Sequence, residues 1–507
     1  MLAKVESYGL SGLKGFSVLV EVDISKGLPA FETVGLPDAA VKESKERVRS
    51  AIRHSGFEFP TAHITVNLAP ADLKKEGTVY DLPIALAILM ASGQFRSLPK
   101  NVLAVGELAL DGTVRPVNGV LPMLIDAFEK GYDTFFVPYE NAAEAAYIEG
   151  ARILPVQTLQ ELVQHLKSSE PITPYPKQVF SDKAIPCSVD FSEIRGQTAA
   201  KRAAEVAVAG NHNLLLCGTP GSGKTMLARA IPSILPGMTF EEALEVTKIH
   251  SVTGAMKGTT GLVMERPFRA PHHGASASAL VGGGSKALPG DISLAHNGVL
   301  FLDEFPEFHR DVLEALRQPL EDGEVTVSRS QVTATYPARF MLVAAMNPCP
   351  CGNRGSRTKP CVCTPTQIRR YANRLSGPLL DRIDLHIEMT EVGYREISDR
   401  RPAESSAAIR ERVVRARKRQ AERFCGEGIR TNSQMNGEMV RKYCAPTGES
   451  EQMLKRAFRQ MQLSARAYQR ILKVARTIAD LEDSDIILPN HYAEAIQYRR
   501  LELLQEV

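Results

Sequence analysis

The sequence predicts a three-part α/β fold: an N-terminal α/β domain, a central α/β core and a helical C-terminal segment. Three observations predict it. A buried-looking apolar run, Leu214 to Cys217, leads through a glycine-rich loop into helix-forming residues, Met226 to Ala230. Alternating β-branched stretches and segments of helical period share the first 166 residues. The chain beyond about Val392 is basic and reads as helix. At 507 residues there is enough chain for several sizeable cores, and 44% apolar with 23% charged residues fits a globular protein. A net charge of +3 confines any nucleic-acid-binding surface to local patches. No apolar run approaches the ~20 residues that span a bilayer, and Met1 to Glu6 lacks a signal-peptide layout. A cytoplasmic protein without a membrane partner is expected, its eight cysteines serving as thiols or metal ligands instead of disulfides.

Residues 1–166 contain strands at Val18–Val22 and Ala62–Leu68, an amphipathic helix over Ala39–His54 and a more buried helix over Asp81–Ala91. Residues 167–189 form a linker, since Ser168 to Pro176 is proline-rich and breaks both periodicities. The core spans 190–391 and is built on Gly218-Thr219-Pro220-Gly221-Ser222-Gly223-Lys224-Thr225. Strand, loop and helix in that order are what a phosphate-binding loop requires. Its glycines let successive N–H groups face one concavity. Lys224 reaches the β- and γ-phosphates of ATP, and the Thr225 hydroxyl can ligate Mg²⁺. Val299 to Leu302 then delivers Asp303 and Glu304 at a strand end, about eighty residues downstream. Asp303 suits Mg²⁺, and Glu304 suits a general base acting on water.

Cys349-Pro350-Cys351 and Cys361-Val362-Cys363 form two pairs nine residues apart. Four thiolates so placed fit a closed, structural, tetrahedral Zn²⁺ site with bonds of ~2.3 Å. Reduced free thiols and an Fe–S cluster are the alternatives. Cys187, Cys217, Cys425 and Cys444 are scattered, as packing residues are. Ile409 to Phe424 carries basic residues on nearly every face, which reads as a solvated helix or a contact for DNA or nucleotide.

Several stretches resemble known families. Lys75 to Pro83 and Gly106 to Val117 resemble the Lon-protease-like domain of Mg-chelatase-related proteins. The likeness invites a peptidase, but the residues at the Ser and Lys positions of that dyad are Val79 and Leu121, which supply neither nucleophile nor base. Thr78 is one residue away and is the alternative nucleophile. The domain is expected to serve assembly or to bind a protein partner, not to cut peptides.

The core and C-terminal segment resemble the bacterial Mg-chelatase-like AAA+ family, and the likeness covers nearly the whole chain. It implies a Lon-protease-like N-terminal domain, an AAA+ P-loop NTPase core and a helical lid over 392–507. Phe191 to Gln197 matches the adenine-side segment. Asn347 matches sensor 1, which orients the lytic water. Arg382 matches an arginine finger acting on a neighbour's nucleotide, with a local ion-pair set as its alternative. Arg466 matches sensor 2, with Arg470 its nearest competitor. Arg266 to Ser276, running into Gly282 to Gly284, resembles the pore-lining helix-2 insert, and Gly323 to Ala334 the pre-sensor-1 hairpin. Both inserts suit sequence-independent contact with phosphates, or, for His272 and His273, local hydrogen bonding. The resemblance implies an ATP-driven homo-hexameric motor on single-stranded or branched DNA, plausible in branch migration during recombination or natural transformation. A metal-insertion ATPase and a protein-remodelling chaperone are the other classes.

Overall fold

The computed structural model describes residues 2–181, 189–256, 261–284, 287–328, 333–393, 396, 398, 403–446 and 448–499. Cys187 and the hairpin tip at 329–332 lie outside the described residues.

In the N-terminal domain, β1 (Leu2–Ser11), β2 (Lys14–Ser25), β3 (Ala30–Val34) and β4 (His63–Ala69) form a sheet ordered β1-β2-β4-β3. β1 and β2 pair antiparallel across a tight connection, while β3 runs parallel to β4. Helix α1 (Ala39–His54) starts where the Asp38 side chain accepts the Val41 N–H, and buries Val41, Val48 and Ile52. Helix α2 (Asp81–Ala91) is buried on nearly all faces, as its uninterrupted apolar run predicts. A second, parallel sheet of β5 (Val102–Ala104), β6 (Thr134–Pro138) and β7 (Arg152–Val156) completes the domain, with helix α3 (Val120–Glu129) outside both sheets.

Two side chains of this domain bear on the peptidase question. Val79 is buried in the domain core. Leu121 is fully buried, but in a separate cluster with Met238, Ala243, Val246 and Leu262 of the central core. The position that would carry a base is thus part of an interdomain seam. That seam is reinforced by Gly119 N–H donating to Ser251 O and by Ser251 Oγ donating to Glu144 Oε2 at 2.8 Å. Thr78 Oγ1 donates to Glu107 Oε2, a carboxylate partner and not the amine of a dyad. The stretch at 168–176 lacks regular structure, yet it is tied down: Ile172 is buried and Tyr175 N–H donates to Ile153 O.

The central sheet is wholly parallel and comprises β8 (Leu214–Gly218), β9 (Phe268–Arg269), β10 (Val299–Leu302), β11 (Met341–Met346) and β12 (Leu385–Met389). Its order is β9-β10-β11-β8-β12, so the glycine-rich loop leaves an interior strand. β8, β10 and β11 are buried along their whole length, which explains their unbroken apolar sequences. The strand ends that carry Gly218, Asp303 and Asn347 therefore share one edge of the sheet, where open α/β sheets bind ligands.

The C-terminal helices include α4 (Ser406–Arg423), α5 (Ala465–Leu481) and α6 (Pro489–Gln497). Helix α4 is not the solvated basic helix that its composition allows. Arg412 pairs with Glu205 and Glu404, Arg417 donates to Val208 O, Arg419 pairs with Asp485, and Arg423 pairs with Asp480. Ser406 receives the Phe191 N–H and meets Ser233 Oγ, fastening the start of α4 to the core. Its basic residues mostly staple the lid in place. Cys217 and Cys444 are buried, whereas Cys425 is exposed. Among the described residues no helix is long and apolar enough to cross a membrane.

Candidate functional site

Gly221 and Gly223 adopt φ of +80° and +92°, a region that side chains disfavour, and so the loop turns without strain. Lys224 is buried and curls back over the loop, its Nζ donating to Gly218 O at 2.6 Å and to Thr219 O at 3.0 Å. It also reaches Asn347 Oδ1 at 3.2 Å, which joins the loop to the end of β11. Burial pulls the Lys224 pKa below that of a free lysine. Thr219 Oγ1 and Ser222 Oγ are buried without a partner among the described residues, polar atoms that a phosphate would satisfy. Pro220 stands exposed at the loop's crest. Behind the loop, Gln197 Nε2 donates to Ser222 O and Thr390 O, locking Gly218–Thr225 against the segment after β12. The sequence did not single out that clamp. A cavity of about 480 Å³ opens beside it, lined by Arg195, Gly196, Thr198, Lys201, Glu404 and Ile409.

Thr225 Oγ1 donates to Asp303 Oδ2 at 2.8 Å. A hydroxyl and a carboxylate so close are a fitting donor pair for Mg²⁺, a hard cation that takes oxygen ligands. Next to them Glu304 has φ of +52°, rare for a residue with a side chain, and its carboxylate is about half exposed. His273 Nδ1 lies 3.1 Å from Glu304 Oε2. The insert that carries His273 therefore meets the candidate base. No periodicity or spacing signals that contact, because two separate crossovers bring the residues together.

The inserts use several residues suited to phosphate for their own anchoring. Arg266 donates to Pro236 O, Asn297 O and Glu242, and Arg269 pairs with Asp291. Phe268 stacks on Phe301 with centroids 6.1 Å apart, which spends its aromatic face within the sheet. His272 accepts the Gly274 N–H and lies against His273, as in the local hydrogen-bonding reading. The hairpin forms with strands Glu324–Ser328 and Thr333–Pro337.

The two predicted arginines do not join the Lys224 cluster. Arg382 is almost wholly buried, donating to Pro378 O and pairing with Glu321. Arg466 is mostly exposed, with Nη2 3.7 Å from the same carboxylate. Arg470 is paired with Asp384. Glu321, which the sequence did not mark, gathers both arginines, and its hydrogen bond from Arg382 holds its pKa below the ordinary glutamate value.

The four cysteines do converge. Sγ atoms of Cys349, Cys351 and Cys361 lie 3.4–3.6 Å apart, and Cys363 Sγ accepts the Cys351 N–H. All four sulfurs fall within 4.8 Å of one another. Burial pushes the Cys349 thiol up to about 12, while the amide N–H groups of Asn353 and Val362 bring Cys351 down to about 6.

A wholly parallel sheet with a phosphate loop on an interior strand and paired carboxylates on a neighbour defines a P-loop-type α/β core. Sequence families agree with that class. The family described as magnesium chelatase, subunit ChlI, matches residues 190–397, a second described as subunit ChlI of Mg-chelatase matches 20–141, and its C-terminal counterpart matches 403–499. YifB of Escherichia coli is 46% identical over 99% of this chain and 98% of its own. Competence protein ComM of Haemophilus influenzae is 45% identical over 100% of this chain and 99% of its own. The chain belongs to the Mg-chelatase-like AAA+ family that includes YifB and ComM.

Proposed function

We propose that the protein is a cytoplasmic, ATP-hydrolysing AAA+ ring motor, a homo-hexamer that moves on single-stranded or branched DNA. The observation that carries the ATPase reading is the convergence of Lys224, Thr225, Asp303, Glu304 and Asn347 at one edge of the sheet. In this reading residues 218–225 wrap the triphosphate, and the Lys224 ammonium exchanges its carbonyl partners for phosphate oxygens. Asn347 holds the attacking water, and Glu304 accepts its proton. Mg²⁺ held by Thr225 and Asp303 would neutralise charge on the β- and γ-phosphates. Arg382 acts as an arginine finger on the nucleotide of an adjoining copy, which calls for a ring, and Arg466 reaches the γ-phosphate from the lid as sensor 2. The division at 166, 189 and 391 belongs to the same reading, with the N-terminal domain a non-cutting module for assembly or a protein partner.

The four cysteines hold a structural Zn²⁺: tetrahedral bonds of ~2.3 Å separate sulfurs by roughly 3.8 Å, close to the spacing seen here. DNA as the cargo is supported by the kinship with a protein named for competence. Its contacts are phosphate-directed and sequence-independent, through His272, Ser276 and the hairpin. A metal-insertion role is the second reading, favoured by the chelatase description of all three matched segments. The deciding experiment measures ATP turnover with and without single-stranded DNA at low and high salt, and movement of a branched duplex. Stimulation that fades with salt and is absent in Lys224→Ala supports the motor. No DNA binding at low salt overturns the DNA reading.

A further inference from the structure

The cysteine cluster is not a remote staple. Asn347 precedes its first ligand by two residues, and Gly352, between the second and third ligands, lies directly on the phosphate loop. A Cβ placed on Gly352 would come within 2.7 Å of Pro220 Cγ and 2.8 Å of Pro220 Cδ, and within 3.9 Å of Asn347 Cγ. Gly352 also has φ of +77°, so both space and backbone demand glycine there. A turn closed by Gly352 N–H to Cys349 O fixes its approach. On the far side the loop is fastened by Ser356 Oγ and Thr358 Oγ1, which both donate to Glu391, just past β12. The loop thus runs from the end of β11 to the segment after β12 and meets the phosphate loop at Pro220 on the way. Within it, Arg354 Nη1 is buried without a partner among the described residues.

We propose that the metal-bound cysteine loop is a brace for the nucleotide site: the metal fixes Gly352 against Pro220 and sets Asn347 in place for hydrolysis. This inference rests on the ATPase and zinc readings above. The cysteine sulfurs join the turn at Cys349–Cys351 to the stretch at Cys361–Cys363 across the intervening loop. Without the metal, Gly352 and Asn347 lose their common anchor while Lys224 and residues 218–225 stay on β8. The effect therefore falls on turnover more than on ATP affinity. Gly352 and the four cysteines are positioning residues, for none needs to touch the reacting atoms.

The test compares the zinc-loaded full chain, the same protein stripped of zinc and returned to Mg²⁺ buffer, and Gly352→Ala, in which the four thiolates are intact. Zinc content, kcat, KM for ATP and amide exchange over 218–225 and 347–353 are read for each. The expected result is one zinc in Gly352→Ala, with kcat lowered about tenfold or more, KM changed less than about threefold, and faster exchange in both segments. Stripped protein should show the same pattern, reversed by adding Zn²⁺. A folded Gly352→Ala that keeps its zinc, its kcat and its exchange protection overturns the brace while leaving the ATPase reading intact. A zinc-loaded wild-type chain with no ATP turnover would instead sink the ATPase reading itself.

Discussion

The phosphate side of the candidate site and its arginine side are built in opposite ways. On the phosphate side, Lys224, Thr225, Asp303 and Asn347 already touch one another within a single chain. On the arginine side, Arg382 and Arg466 meet Glu321 and stand apart from that cluster. The first half is preorganised, because Asp303 and Asn347 directly follow buried neighbouring strands and Lys224 and Thr225 open the helix after the glycine-rich loop, with Asn347 also tied to the cysteine loop that follows it. The second half is neutralised: the Glu321 carboxylate pairs with Arg382 and lies 3.7 Å from Arg466 Nη2. A lone chain therefore has what it needs to hold a nucleotide, but its arginines are engaged elsewhere. In the proposed motor, a division of that kind would make hydrolysis depend on a second copy.

The sharpest way to break this comparison is Arg382→Ala. Turnover should fall by about 10³–10⁵ with ATP binding retained. Mixing that variant with Lys224→Ala should restore part of the activity, because some interfaces then combine an intact phosphate side with an intact arginine. Rates that merely average on mixing would place Arg382 in its own chain's site or in a local ion pair. Glu304→Gln should lower turnover by about 10²–10⁴ while ATP stays bound, measured by single-turnover hydrolysis and nucleotide retention. Arg466→Ala, whose contact with Glu321 is long and solvent-exposed, should cost about tenfold, or about 1.4 kcal/mol in kcat/KM.

The smallest effect concerns stability. Burial lowers His212 to about 4 and His386 to about 3, so both are neutral in the folded core at pH 6. The unfolded chain, with an ordinary imidazole value near about 6.5, binds more protons below that pH. Stability is therefore unaffected by these groups above about pH 6.5 and is lost as pH falls toward the folded values, by about 1.4 kcal/mol per unit for each histidine. A melting temperature that drops between pH 6.5 and 4.5, and drops less in His386→Asn, is the expected outcome.

Local chemistry was legible in the sequence, and long-range pairing was not. The phosphate loop and the helix at 39–54 could be read because spacing within a short window determines them. The four cysteines could be read because both pairs carry their own geometry. The charge of Ser406–Arg423 misled, since composition cannot distinguish arginines that face water from arginines that meet Glu205 and Asp480. Phe268 meets Phe301 only because the edge strand lies beside β10, a pairing that no local pattern shows. The meeting of His273 with Glu304 and of Glu321 with its arginines gave no signal, because these partners come together only when distant crossovers fold.

Glu304 makes one further point. Its left-handed backbone would be more comfortable for glycine, and Glu304→Gly should leave the fold at least as durable while ending any proton transfer from that position. In the proposed reaction, a carboxylate kept where the main chain resists one would trade longevity for chemistry. Engineering this scaffold for heat resistance would select against residue 304 early, so survival of the fold under such selection would be a poor guide to survival of the activity.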